Sequence, residues 1–385
     1  MKPAKVVMLV TNDAVSDPRV DKEAHALAAD GYAVTVLAWD RAGEAPTLEN
    51  RGHVTYERLG PRAPYGGGLR SLDHFRRYWR AAADRALEIR PAFVHCHDLD
   101  TAPAGLRVRR GATPPPRVIL DMHELYRESG MVPQRGFVGT FARAAVRVLE
   151  RRAFRVADAI LVANPGTTDY YAALGVGEKL VVVENAPDIS NFSPVQRPEG
   201  VPFTVGYFGQ KRYPGELQVL METVQLHPQM AALLVGGGVA ADMIAGLART
   251  MERIEVAGRF DYAELPELYA RCDVVYAVYD VRLGNVRTLF PVKVMEAMAS
   301  ALPVIVAEGT WIGGYVAEHG IGAVVPAGDR AALEGALLGL ARDPSERRAM
   351  GQRGRALVEA GLNWDAASRR LVALYRSLQP EEFDE

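Results

Sequence analysis

The sequence predicts two doubly wound α/β domains, and three observations carry that reading. Short β-branched runs alternate with amphipathic helical segments along the chain. The alternation breaks once, over residues 185–201, where Pro187, Pro194 and Pro198 interrupt any apolar period. The 385 residues exceed the ~100–200 of one ordinary domain.

Strand-like runs at 5–10 and 33–39 flank a helical stretch, 20–31, whose Val20, Ala24, Leu27 and Ala28 share one face. A helix at 72–89 then precedes a strand at 93–96. A strand at 118–121, a helix at 139–156 and strands at 159–163 and 180–184 complete the first half. After the proline-rich break, read as an interdomain linker, strands are expected at 204–208, 231–235, 253–256, 273–278 and 303–307. Helices at 217–226, 240–249, 263–271 and 292–300 alternate with them, and a last helix runs over 364–378. Parallel strands joined by crossover helices follow. In such sheets ligands bind beyond the carboxyl ends of the strands, here in the crevice expected between the domains.

Composition excludes several classes. A hydrophobic share of 49% and a charged share of 24% are those of a globular chain rather than a disordered one. A net charge of −2 gives no field for holding nucleic acid. Cys96 and Cys272 are too few for a disulfide framework and read as buried thiols of a reducing, cytoplasmic protein. The apolar run before Thr11 is too short for a signal peptide or a membrane span. No G-x-G-x-x-G follows the first strand, and neither a P-loop nor a G-x-S-x-G elbow occurs. Two glycine runs stand out. Gly66 to Gly68 reads as a mobile loop, and Gly236 to Gly238, after a strand, lets backbone approach a ligand or the next helix.

The most informative segment is Phe290-Pro291-Val292-Lys293-Val294-Met295-Glu296-Ala297-Met298-Ala299. Its apolar spacing turns one helical face to a core and leaves Lys293 and Glu296 three apart on another. Such a glutamate can accept hydrogen bonds from ribose hydroxyls, while Lys293 and the helix N-terminus face phosphate. A plain surface Glu–Lys pair fits the same spacing.

At this point the chain resembles a known family. "KVMEAMASALPVIV" is similar to the signature of the large retaining glycosyltransferase family that includes sucrose synthase, sucrose-phosphate synthase and many bacterial mannosyl- and glucosyltransferases, all of GT-B fold. "DPRVDKEAHALAADGYAVTVLAWDR", "VHCHD", "VILDMHE", "VVENAPDISNFSP", "VGYFGQKRYPGEL", "LLVGGG" and "GIGAVVPAGD" resemble its other parts, in order along nearly the whole chain. The resemblance implies an acceptor-side domain at 1–190, a nucleotide-sugar domain at 191–362 and a closing helix at 363–385 that returns to the first domain.

It also implies roles. His123 lies beside the donor sugar, and Lys211 with Arg212, next to Gly209, hold the diphosphate. Arg259 and Phe260 hold the base. Thr288, Leu289, Phe290, Val292, Lys293 and Glu296 complete the donor site, while Asp17, Arg19, His97 and Asp98 meet the acceptor. Three positions depart from the family pattern: Gln210 stands for an arginine, Thr288 for a glutamate and Pro291 for a glycine.

The implied reaction moves a sugar from a nucleoside diphosphate sugar to an acceptor hydroxyl with retention of configuration. Uridine is the first choice of base and guanosine the second, and the acceptor is a carbohydrate, a lipid-linked sugar or a small molecule. The implied mechanism is front-face and needs no metal and no cofactor; His95, Cys96, His97, Asp98 and His123 do not match a zinc spacing. A sugar-nucleotide 2-epimerase and a catalytically silent nucleotide-sugar-binding partner are the alternatives. One pattern stands outside this frame. Arg143, Arg147, Arg151 and Arg155 form a basic stripe, with Phe141, Ala144, Val148 and Phe154 off it, suited to peripheral contact with the inner membrane face.

Overall fold

The computed structural model describes residues 3–64, 71–129, 132–133, 136–198 and 200–379. The run Gly66 to Gly68 lies outside them. The chain divides into two units, Met1–Glu184 with Ala367–Glu385, and Asn185–Ala366.

The first unit runs β1 (Lys5–Val10), α1 (Pro18–Ala29), β2 (Ala33–Trp39), β3 (Leu48–Arg51), β4 (Val54–Leu59), α2 (Leu72–Ile89), β5 (Phe93–His97), α3 (Ala102–Gly111), β6 (Arg117–Met122), α4 (Gly136–Val156), β7 (Ala159–Val162), α5 (Thr168–Ala172) and β8 (Leu180–Val182). Its sheet has the order β3-β4-β2-β1-β5-β6-β7-β8, parallel except for the antiparallel edge strand β3. The order reverses between β1 and β5, which places the loops after Val10 and His97 at the switch point. Helix α1 begins two residues before the apolar period does. Asp17 caps it by accepting from the Val20 N–H, and Pro18 occupies a first-turn position where no N–H is needed.

The second unit runs β9 (Phe203–Phe208), α6 (Pro214–Gln225), β10 (Met230–Val235), α7 (Ala241–Ala248), β11 (Ile254–Ala257), α8 (Leu265–Ala270), β12 (Val274–Ala277), α9 (Gly284–Thr288), α10 (Val292–Ala299), β13 (Val304–Ala307), α11 (Trp311–His319), β14 (Gly322–Val325), α12 (Arg330–Arg342) and α13 (Pro344–Ala360). All six strands are parallel, ordered β11-β10-β9-β12-β13-β14, with the switch between β9 and β12. The last helix, α14 (Trp364–Leu378), starts in the second unit and packs from Ala367 onward in the first. There Tyr375 is fully buried against Phe93 and Tyr32, and Arg376 pairs with Asp30.

Each unit has its own apolar core. Cys96 and Cys272 are both buried free thiols, and each abuts a glycine: a Cβ on Gly105 would stand 2.3 Å from the Cys96 sulfur, and one on Gly206 2.6 Å from that of Cys272. The stretch read as a linker is instead packed onto the second unit. Ala186 and Phe192 are buried in its core, the Val195 N–H donates to Ser300 O at 2.9 Å, and Arg355 donates to Phe192 O at 2.8 Å. Among the described residues no helix is long and apolar enough to cross a membrane.

Candidate functional site

The first unit gathers a polar cluster at the carboxyl ends of β5 and β6. Strand alternation puts His95 and His97 on one face, with ring centroids 4.4 Å apart. Asp121, fully buried near the end of β6, accepts two bonds from Arg19, at 2.8 Å from Nε and 2.5 Å from Nη2. Arg19 also pairs with Glu23, one turn along α1, at 3.0 Å and donates to Val183 O at 2.8 Å. His97 Nδ1 lies 3.1 Å and His123 Nε2 2.8 Å from Asp121 Oδ2, while His123 Nδ1 lies 3.4 Å from Asp98 Oδ2. From the other side, the Tyr375 hydroxyl of α14 is 2.8 Å from His95 Nδ1.

His123 and Asp98 form the open end of this cluster, with side chains 24% and 28% exposed. Burial works against a charge on His123, but Asp98 and Asp121 outweigh it and lift its pKa to about 10. It is therefore a fixed cation and hydrogen-bond donor at neutral pH. Burial also works against ionised Asp121, and Arg19 with His123 outweighs it, holding the carboxylate well below its ordinary value. Glu23 moves the other way, upward through burial. Glu23, His95, His97 and Asp121 have the composition of a metal centre, each offering a ligand atom within 4.8 Å of the others. The positive charge among them is already supplied by Arg19, which spans both carboxylates.

Four residues were expected to meet the acceptor, and two do not lie open. Arg19 and His97 are 3% and 1% exposed and committed to Asp121, because an internal carboxylate must be neutralised where water cannot do it. Asp17 and Asp98 remain half-buried. Glu23, His95, Asp121 and Tyr375 were not foreseen. The i, i+4 pair Arg19/Glu23 was legible in the helix; the tie from α14 to His95 joins positions 280 residues apart and was not.

In the second unit the site is assembled at the switch point. The chain leaves β9 through Gly209 (φ +113°) and leaves β10 through Gly236 (φ +131°) and Gly238 (φ +123°). A Cβ on Gly236 would fall 2.0 Å from Gly209 O, and one on Gly238 2.7 Å from Lys211 N. These glycines allow two strand-end loops to touch backbone to backbone. Lys211 fixes that contact. Its side chain is fully buried and its ammonium donates to Gly236 O, and to Ala257 O at 2.9 Å.

Lys211 and Arg212, expected to hold the diphosphate together, have different partners in this structure. Lys211 braces backbone, and Arg212 is exposed with its Nε on Gln210 Oε1 at 2.7 Å. The cation that lies over the β9 loop is Lys293, from the first turn of α10. Its ammonium sits 3.6 Å from the Tyr207 ring centroid and 5.4 Å from that of Tyr279, and a Cβ on Gly209 would lie 3.6 Å from it. Burial lowers its pKa to about 7. Pro291, at the N-cap of α10, makes no side-chain cap bond; the Val294 N–H turns back to Pro291 O at 2.9 Å, which leaves those of Val292 and Lys293 as the donors of the first turn.

Glu296 is not a surface residue paired with Lys293. It is 4% exposed and accepts from Tyr269 OH at 2.8 Å, with Tyr262 as a second hydroxyl partner. Phe290 is buried, with its ring packed on Trp311 and Tyr315. Thr288 donates to Asn285 O at 3.3 Å, closing the short helix α9. Leu289 and Val292 are half-buried against the core. Arg259 is exposed and lies over Gly237, while Phe260 packs against the core beside it.

A family model described as a glycosyl transferase 4-like domain matches residues 17–186, and one described as glycosyl transferases group 1 matches residues 202–343. A curated relative from Corynebacterium glutamicum, a GDP-mannose-dependent monoacylated α-(1-6)-phosphatidylinositol monomannoside mannosyltransferase, is 28% identical over 164 residues. That match spans 42% of each protein. Among solved structures, a sucrose-phosphate synthase from Thermosynechococcus elongatus superposes with a TM-score of 0.80 at 22% identity, covering 97% of this chain and 99% of that one. Anabaena HepE in complex with UDP and glucose gives 0.73 at 16% identity, covering 97% and 100%.

Proposed function

From the premise that the chain belongs to the group 1 glycosyltransferases, with a glycosyl transferase 4-like first domain and the GT-B fold, we propose that it transfers a sugar, with retention, from a nucleoside diphosphate sugar to an acceptor hydroxyl. The observation that carries the reading is the second unit's switch point, where Lys293 and the uncapped start of α10 stand over the glycine turn that ends β9. As the glycosidic bond breaks, negative charge grows on the departing phosphate. A positioned ammonium and a helix N-terminus stabilise it without reorganisation, which is how such sites lower a barrier. Glu296, fixed by two tyrosines, is the proposed ribose partner, and Arg259 with Phe260 flanks the base.

The charge carried by Lys293 supports a metal-independent reaction. Asp121 is engaged by Arg19 and His123, and Glu23 by Arg19, which supports front-face displacement over attack by either of these carboxylates. In that route the leaving phosphate takes the acceptor's proton. His123, a cation held through Nε2 by Asp121, donates from Nδ1, on the open side beside Asp98, to the transferred sugar. The acceptor is a carbohydrate, a lipid-linked sugar or a small molecule.

Thermal shift of the purified protein against UDP, GDP, dTDP and ADP, without metal and with a chelator, tests the donor. Uridine is expected to respond first and guanosine second. A nucleotide at one hundred times its Kd adds about 2.7 kcal/mol; silence from all four would overturn the site. Turnover with the responding sugar nucleotide then separates a transferase from a silent binder.

The pH dependence follows from Lys293. Its pKa is about 7 in the ligand-free domain, and a bound diphosphate favours the ammonium form, so binding takes up a proton above pH 7. Nucleotide affinity should hold below pH 7 and weaken by up to about tenfold per unit above it. Titration calorimetry across pH 6 to 9 reads this, and Lys293→Met should bind more weakly and flatten the profile.

A further inference from the structure

We propose that the outer face of α4 is a docking surface for an anionic lipid bilayer. The sequence pattern left the apolar residues of this helix off its basic stripe, without an exposed apolar line. The structure places such a line in solvent: Phe137, Val138, Phe141 and Val148 are 80%, 63%, 65% and 49% exposed. Phe137, Phe141, Ala144 and Val148 follow one another at helical spacing, all exposed, and the two phenylalanine rings lie 5.0 Å apart. Arg147, Arg151, Arg152 and Arg155 are exposed along the same length of helix and make no ion pair among the described residues.

Charge complementarity selects the occupant. No exposed position of α4 is acidic. Its one carboxylate, Glu150, is buried beside Tyr170, and Asp158, just beyond the helix, is taken by Arg109 and Arg117. A groove along α4, lined by Pro103, Leu106, Arg110, Leu149, Arg152 and Arg155, is of a size to take phosphate headgroups. It continues past Pro103 and Arg110 toward Arg76 and Arg80 of α2. Aromatic and aliphatic side chains beside unpaired arginines, with no carboxylate among them, are the composition of a helix lying in a lipid interface. The rings enter the acyl boundary and the guanidinium groups meet the anionic headgroups. This surface uses no residue of the nucleotide site, so it stands or falls separately from the transferase reading.

The test is co-sedimentation of the full chain with vesicles of phosphatidylcholine alone and of phosphatidylcholine mixed with phosphatidylglycerol, at low and high salt. Binding is expected only to the mixed vesicles and only at low salt. The Phe137→Ser/Phe141→Ser variant should lose at least about tenfold in partition. The Arg151→Glu/Arg155→Glu variant should lose at least about twenty-five-fold, since each arginine near an anionic surface is worth about fivefold. Both variants should keep the wild-type melting temperature and cooperativity, which shows that they fold. Equal binding to both kinds of vesicle, or binding that survives both variants, would overturn the proposal. So would a concentration-dependent dimer in sedimentation velocity that the phenylalanine variant abolishes, because a second copy would then cover the face.

Discussion

Replacing His123 by alanine is expected to lower kcat about 10²-fold, the cost of misplacing the transferred sugar when a positioning donor is lost, while nucleotide affinity changes by less than about twofold. The separation follows from the fold. The nucleotide side chains proposed here all lie in the second unit, whereas His123 belongs to the first unit's cluster, held there by Asp98 and Asp121. Because that pair lifts its pKa to about 10, the histidine is a poor proton acceptor at neutral pH. The pH–rate profile should therefore lack a limb near pH 6.5 that disappears in His123→Ala, and any limb due to this residue should fall near pH 10. Steady-state kinetics alongside titration of the free nucleotide measures both. Equal loss of turnover and of nucleotide affinity would sink the assignment.

Asp121→Ala should be the most damaging substitution for stability. It leaves Arg19 buried with only Glu23 as a charged partner and removes the acceptor shared by His97 and His123. Breaking a buried ion pair from one side costs about 3–5 kcal/mol. For a domain of this size that is a fall of roughly 6–20 °C in melting temperature. A double-mutant cycle with Arg19→Met should recover part of the loss, because both ends of the pair are then gone. An additive cycle would show that the two groups do not act as a pair.

The same cluster sets the pH range of the first domain. Asp121 has a folded pKa well below 3.8, so its contribution is complete above that value and is lost as pH falls through the folded pKa. His123 has a folded pKa of about 10 against 6.5, so its contribution is complete below 6.5 and is lost as pH rises toward 10. Glu23, raised by burial, adds stability as pH falls and opposes part of the acid loss. Urea denaturation between pH 3 and 10 should show both limbs in the native protein, and both should flatten in Asp121→Ala.

Much of the architecture was legible because parallel strands buried on both faces read as continuous apolar runs. The strands at 5–10 and 33–39 and the helices at 72–89 and 364–378 match the observed bounds of β1, β2, α2 and α14. The edge strand β3 escaped notice because Leu48–Arg51 is half-exposed with no apolar alternation, whereas β4 alternates over Val54–Leu59 and was legible but went unread. Helices α12 and α13 went unread in a segment rich in small and charged residues, where the buried positions are few: Leu333, Leu337 and Leu340 in one, Gly351, Gly354 and Val358 in the other.

The sequence by itself determined the alternation, the family and the identity of the polar residues gathered near the strand ends, because side-chain period and turn chemistry are local properties of the chain. Only the tertiary structure decided which of those residues are free to act. Lys211 and Lys293 are both lysines near strand ends, yet one is turned onto carbonyl oxygens and the other onto tyrosine rings. Arg19 and Asp98 both looked like acceptor contacts, yet one is sealed against Asp121. Phe137 and Phe141 lie in solvent, where the pattern alone marked only the basic stripe of the same helix. In every case the deciding quantity is how much water remains around a side chain. That depends on elements far apart in the chain, and burial is what makes a charge seek a partner or leaves an apolar ring without one.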